Sequence, residues 1–195
     1  MKIIGVIALI VILAIAGVVA FSYSGLLDVA ANIREPALVQ WLLENTRKNS
    51  IVSRSKNITV PDITNEERWS KGGNAFSEIC SSCHGAPGQK PFLGAGDMNP
   101  PPPDLADIVS HRTTKELFWV VKNGIRMTGM PAWGVTHTDE QIWDMVAFMK
   151  RLPKLSPASY QKLINTAQDD GHGHEHGEVM QSTTDDHNDD ADHPH

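Results

Sequence analysis

The sequence predicts an all-α protein: one apolar helix at the N-terminus, then a small globular block of three main helices. Three observations predict this. Ile3 to Phe21 is nineteen residues without a charge. At three places in residues 62–155 a threonine is followed three residues later by Glu or Gln, the reciprocal capping signature of a helix start. Nothing in that block alternates apolar and polar residues as a half-buried strand would.

As a helix, Ile3–Phe21 spans about 28 Å, close to the hydrocarbon thickness of a bilayer. A secretory signal has a shorter apolar core, about 7–15 residues. Length therefore favours a retained anchor over residues 1–24, although Ala14-Ile15-Ala16 and Val18-Val19-Ala20 would also serve as cleavage sites. Either way the rest of the chain is exported, and Lys2 stays cytoplasmic by the positive-inside bias. The expected location is the inner membrane, single-pass, with the remainder in the periplasm.

Residues 25–61 form a connecting region. Ala37–Asn45 reads as a short helix behind Pro36, with Leu38, Trp41, Leu42 and Leu43. The expectation is packing against the folded domain; the alternative is a juxtamembrane helix on lipid or a partner. In residues 62–155, the three cap pairs are Thr64/Glu67, Thr113/Glu116 and Thr138/Gln141. The first helix is expected to run to about Cys80. The second is expected over Thr114–Asn123, stopping at Gly124. The third is expected from Asp139 to about Arg151, before Pro153. Between the first two, Gly85–Asp104 holds Pro87, Pro91 and the run Pro100–Pro103, and reads as a long loop with a task. Residues 156–195 are expected to be a disordered tail, rich in His and Asp.

With 195 residues, 41% of them hydrophobic and 21% charged, the chain is neither wholly disordered nor a polytopic membrane protein. Two cysteines are too few for a disulfide framework. The net charge of −6 is an average. Residues 1–168 carry +3 and residues 169–195 carry −9. No basic block is dense enough to suggest a nucleic-acid partner.

The chemically specific stretch is Cys80-Ser81-Ser82-Cys83-His84. Cys-x-x-Cys-His is the attachment signature of c-type haem. Thiols three apart share one helix face and reach two vinyl groups of one porphyrin, and the adjacent imidazole then lies under the ring. A zinc site would want further cysteine or histidine ligands at suitable spacing, and there is no third cysteine. A redox dithiol would want a strand–helix context. One covalently attached haem c is therefore expected on Cys80 and Cys83, with His84 as the proximal iron ligand. The second nitrogen of His84 should donate to a backbone carbonyl. Pro100–Pro103 is a candidate source, since proline cannot compete as a donor.

For the distal iron ligand the candidate is Met130, framed by Gly129 and Pro131. Met127, Met98, His111 and His137 are the alternatives. Candidate pocket walls include Phe92, Leu93, Leu105, Ile108, Leu117, Phe118, Trp119, Ile125 and Trp133. Arg112 and Arg126 are candidates to pair with propionates.

With these residues on the page, residues 62–155 resemble a mono-haem, His/Met-ligated bacterial cytochrome c domain. The attachment motif carries the resemblance. The segments Asn123-Gly124-Ile125 and Thr128-Gly129-Met130-Pro131-Ala132-Trp133 add to it, as do Gly72, Phe76 and Cys80 at steps of four with Phe148 in the last helix. The resemblance implies a small cytochrome c-like domain around one haem, and an electron carrier rather than an enzyme. A membrane tether narrows the expected partners to a dehydrogenase or quinol-oxidising complex and a terminal oxidase or reductase. The alternatives are a haem enzyme or gas sensor with a labile sixth ligand, and metal binding by the tail through His172, His174 and His176.

Overall fold

The computed structural model describes residues 2–26 and 28–169. The expectations for His172, His174, His176 and the rest of the acidic tail from residue 170 fall outside the described residues. Helix α1 (Lys2–Tyr23) carries no charge after Lys2, and Ile3–Tyr23 is long and apolar enough to cross a membrane. Helix α2 (Ala37–Ser55) is about twice as long as its apolar cluster suggests. Its second half buries Ile51 and Ser55 and packs on α6 (Thr114–Asn123). Its first half leaves Leu38, Trp41, Leu42 and Leu43 exposed. Packing against the folded domain thus describes the second half alone.

Helix α3 (Glu66–Ala75) starts one residue later than the capping pattern implies. Asn65 is the cap, its Oδ1 accepting from the Arg68 N–H at 3.1 Å. Thr64 is drawn into a turn on Asp62 Oδ1, which accepts from its N–H and its hydroxyl at 2.9 and 2.7 Å. An aspartate two residues upstream competes for the threonine, and that takes it out of the cap. The chain then runs through one π turn (Phe76–Cys80) into α4 (Ser81–His84). In that turn the Ser81 N–H reaches back to the Phe76 carbonyl. The extra residue turns Cys80 away from the face that an unbroken α-helix would give it.

Helices α3 and α7 (Asp139–Met149) cross at Gly72. A Cβ built there would collide with the Asp144 carbonyl oxygen, so the two backbones touch and only glycine fits. One turn on, Phe76 packs on Phe148 with ring centroids 5.2 Å apart. Arg68 straddles the crossing, donating to Glu140 and Asp144 at 2.7 Å each. Burial lifts the Asp144 carboxyl above its usual range more than Arg68 lowers it, while Glu140 and Asp144 hold the Arg68 guanidinium more firmly protonated.

Helices α6 and α7 begin as expected. Thr113 and Thr138 each accept from the N–H three residues on, and Glu116 and Gln141 reach back to the cap N–H. Gly124 ends α6 at φ +64°. Helix α7 ends at Met149, and a short 3₁₀ turn over Leu152–Lys154 follows. Helix α5 (Leu105–His111) sits inside the stretch where only pocket residues were expected. Asp104 caps its start, accepting from the Ala106 N–H at 2.8 Å. Lys150, at the end of α7, caps its last turn by donating to the Val109 and Arg112 carbonyls at 2.8 and 3.2 Å.

The expected disordered tail is corrected over residues 157–169, which form helix α8 (Pro157–Asp169). Tyr160 and Ile164 are buried on the main cluster, and Tyr160 stands edge-on to Phe76 at 6.4 Å. Polar composition hid three apolar positions at helical spacing, Tyr160, Leu163 and Ile164, which find a face left open by α3 and α7. The folded unit therefore runs past residue 155. Among the described residues there is no strand, only an isolated bridge between Ala86 and Gln89.

Two measurements check this core. Gly72→Ala should cost about 1–3 kcal/mol in urea unfolding, the overpacking penalty outweighing alanine's better helix propensity. The buried Tyr160 hydroxyl makes no well-formed hydrogen bond among the described residues, Ser77 being its nearest polar contact. Tyr160→Phe should then be neutral or slightly stabilising, whereas Tyr160→Ala should cost about 3–5 kcal/mol. Equal, negligible effects of both would detach α8 from the core.

Candidate functional site

The attachment motif lies where the first helical run ends. Cys80 is buried among core residues, while Cys83 and His84 are half-buried. Gly85 turns the chain at φ +73°, and its N–H closes on the Ser81 carbonyl at 2.9 Å. The following loop folds back along the motif, with the Phe92 N–H donating to the Ser82 carbonyl at 2.8 Å. This return brings the proline run beside the histidine. His84 Nδ1 lies 2.8 Å from the Pro103 carbonyl oxygen. A carbonyl can only accept, so Nδ1 carries a proton, and in the neutral ring Nε2 is left with the lone pair. An imidazole held in this tautomer is prepared to bind a metal through Nε2.

The two thiols do not resemble an active dithiol. Such a pair needs a lowered pKa to hold a thiolate. Burial, with Cys83 nearby as a lesser cause, pushes the Cys80 thiol up to about 12. It remains a protonated sulfur facing the core. Among the described residues, no group of three or more His, Cys, Asp or Glu side chains is gathered as a metal cage. Two sulfurs, a tautomer-fixed imidazole and a folded-back loop fit a haem c.

Met130 lies on a loop pinned to the end of α6. Its carbonyl accepts from the Ile125 N–H at 3.2 Å, and its N–H donates to Thr128 Oγ1 at 3.1 Å. Gly124 makes the approach feasible, since a Cβ there would press on the Met130 and Pro131 backbone at 2.7 Å. The Met130 side chain is half-buried. Met127 has φ +60° and is 87% exposed. Met98 is brought closer than its place in the proline loop suggests: its sulfur would lie 3.2 Å from a Cβ on Gly129. His111 is exposed and faces Asp107 at 3.5 Å, and His137 is held by Thr136 Oγ1 at 2.9 Å.

The expected pocket walls divide. Leu105, Leu117 and Phe118 are buried, and Ile108 and Trp133 pack against the cluster. Phe92 is half exposed and Leu93 fully exposed, so the structure does not place these two in a wall. Phe118 stacks on Trp143 at 3.9 Å, and with Trp119 it lines a separate groove beside Arg54 and Ile58 of the connecting region. Arg112 is paired with Glu116 at 3.9 Å, and Arg126 is exposed.

Sequence reasoning missed the residues that hold the Pro103 carbonyl in place. Asp104 caps the next helix and Lys150 ties its far end to α7. The first had a local signal, an aspartate directly before Leu105 and Ala106; the second, forty-one residues away from Val109, had none. Asp104→Ala should cost about 1 kcal/mol in urea unfolding of the haem-loaded protein. It should also speed exchange of the His84 Nδ1 proton observed by NMR; an unaltered proton signal would show that Pro103 is held without the cap.

No curated protein matches the chain. Residues 67–149, from the start of α3 to the end of α7, match the family model described as Cytochrome C oxidase, cbb3-type, subunit III. With the attachment motif at the close of its first helical run and a helix long and apolar enough to cross a membrane ahead of it, the chain carries a cytochrome c domain behind an N-terminal apolar anchor segment.

Proposed function

We propose that this protein is a membrane-anchored, single-haem cytochrome c. In this reading it passes one electron at a time between respiratory partners on the periplasmic face of the inner membrane. Haem-based electron transfer follows from the domain itself. The observation that carries the finer reading is the 2.8 Å contact between His84 Nδ1 and the Pro103 carbonyl, next to the two cysteines. It fixes the ring and raises its basicity.

Cys80 and Cys83 would hold the porphyrin covalently, His84 would bind the iron through Nε2, and Met130 would close the opposite side through its sulfur. A bound haem c supplies a one-electron iron couple. Two protein ligands leave no position for a substrate, which favours a carrier over an enzyme. The soft Met130 thioether stabilises the reduced metal and raises its potential. Buried apolar side chains around Cys80 favour the lower charge state and act in the same direction.

The upstream partner in this reading is a dehydrogenase or quinol-oxidising complex, and the downstream one is a terminal oxidase or reductase. The family description names an oxidase subunit, which supports a place within or beside such a complex. Residues 62–155 carry ten basic and eleven acidic side chains, so charge alone does not choose the partner. A membrane tether does narrow the choice, by raising the effective concentration of membrane partners.

Pyridine haemochrome spectra of matured protein should show one thioether-linked haem per chain. Met130→Ala should lower the midpoint potential and abolish the sulfur-to-iron charge-transfer band, while Met127→Ala and Met98→Ala should retain it. An unchanged Met130→Ala spectrum would move the ligand elsewhere. Rapid carbon monoxide binding to the reduced wild-type protein at neutral pH would instead indicate an open or labile sixth position.

A further inference from the structure

Helix α2 is divided along its length in a way the electron-transfer reading does not use. Its inward face, through Ile51 and Ser55, is buried against the domain. The outward face changes character from one end to the other. In the first two turns it presents Leu38 at 75%, Trp41 at 61% and Leu42 at 56% exposure. At spacings i, i+3 and i+4 these share one side of the helix, with Leu42 facing directly away from Ile51. From Asn45 onward the same outward direction carries mainly polar residues, including Lys48, Asn49, Ser53 and Lys56. The apolar end is the end nearest the anchor in the chain.

The connection restricts where that end can go. The Asn99 side-chain amide donates to the Ile33 carbonyl and to Glu35 at 3.2 and 3.3 Å, so residues 33–35 are held on the folded domain. Only the nine residues 24–32 separate this point from the end of α1. Fully extended they reach about 32 Å. The entry to α2 is therefore kept within a short distance of where α1 would leave the bilayer. Its charge is suited to that surface as well. Residues 37–56 carry Arg47, Lys48, Arg54 and Lys56 against Glu44 alone. Lys48 lies seven residues beyond Trp41 on the same side, an arrangement that seats an aromatic ring at the headgroup level with a cation beside the phosphates.

We propose that the first two turns of α2 rest in the lipid interface on the exported side, so that the helix is a second, in-plane contact that sets the orientation of the cytochrome domain over the membrane. The occupant of the apolar stripe is the bilayer itself: the stripe fades to polar residues with distance from the anchor, as the lipid-to-water gradient does. A single span leaves a domain free to turn about its tether. A second contact on a helix packed against α6 removes much of that freedom and presents a constant face to membrane partners.

The inference rests on α1 being a retained anchor, and the test separates the two. Nitroxide labels are placed singly through Ile12→Cys, Leu42→Cys and Ser53→Cys in the haem-loaded full-length chain. The protein is reconstituted in vesicles of phosphatidylethanolamine and phosphatidylglycerol. Collision rates with oxygen and with a water-soluble nickel chelate are then compared by electron paramagnetic resonance. The labels at Ile12 and Leu42 should collide more with oxygen than with the chelate, and the label at Ser53, three turns further along the same face, should show the reverse. An aqueous pattern at Leu42 with a lipid pattern at Ile12 overturns the interfacial contact and leaves the anchor standing. An aqueous pattern at Ile12 removes both. A Leu42 label that is aqueous in vesicles but shielded from both reagents in native membranes would give the stripe to a partner protein and overturn the proposal.

Discussion

The backbone contact between α3 and α7 at Gly72 is the constraint on which the rest of the structure depends. Without a side chain between them, the two helices approach until the Gly72 Cα meets the Asp144 carbonyl region. That approach sets Phe76 on Phe148 and leaves a face that α8 covers with Tyr160. The helical run that makes this contact also ends in Cys80, Cys83 and His84. The orientation of the attachment motif is therefore inherited from a packing contact two turns away. The π turn over Phe76–Cys80 adds a local adjustment between the crossing and the first thiol.

Helix α7 serves the site from its other end too. Lys150 draws the last turn of α5 onto it, and α5 starts directly after the proline whose carbonyl accepts from His84. The thiols and the carbonyl thus reach the same helix by separate routes, one through α3 and one through α5. A rigid α7 fixes their relation better than the twenty-residue loop between them could. The Met130 loop is anchored differently, on the end of α6 through Gly124 and Thr128. Such a loop can be adjusted without disturbing the thiols.

Legibility from sequence varied with the range of the interaction concerned. The capping boxes at Thr113 and Thr138 were readable because both partners lie within four residues. The Thr64 pair failed because Asp62, equally local, offered a competing acceptor. The Cys-x-x-Cys-His motif stands out locally because covalent haem attachment would demand that spacing. Helix α8 was not readable, since its three apolar positions acquire meaning only once a complementary face exists. The carbonyl for His84 was narrowed to a run of prolines, but only folding selected Pro103 from it.

The sequence by itself determined an apolar N-terminal helix, three of the main helix positions, and the Cys80, Cys83 and His84 spacing from which haem attachment is expected. These are matters of local spacing and composition, complete within a few residues. Tertiary structure alone decided which nitrogen of His84 is committed to the backbone and that Met98 lies against Gly129. It also decided that α8 belongs to the folded unit and that the two halves of α2 face different surroundings. Each of these depends on two segments distant in the chain meeting at a particular angle. No local pattern encodes that angle; it follows from where glycine permits two backbones to touch.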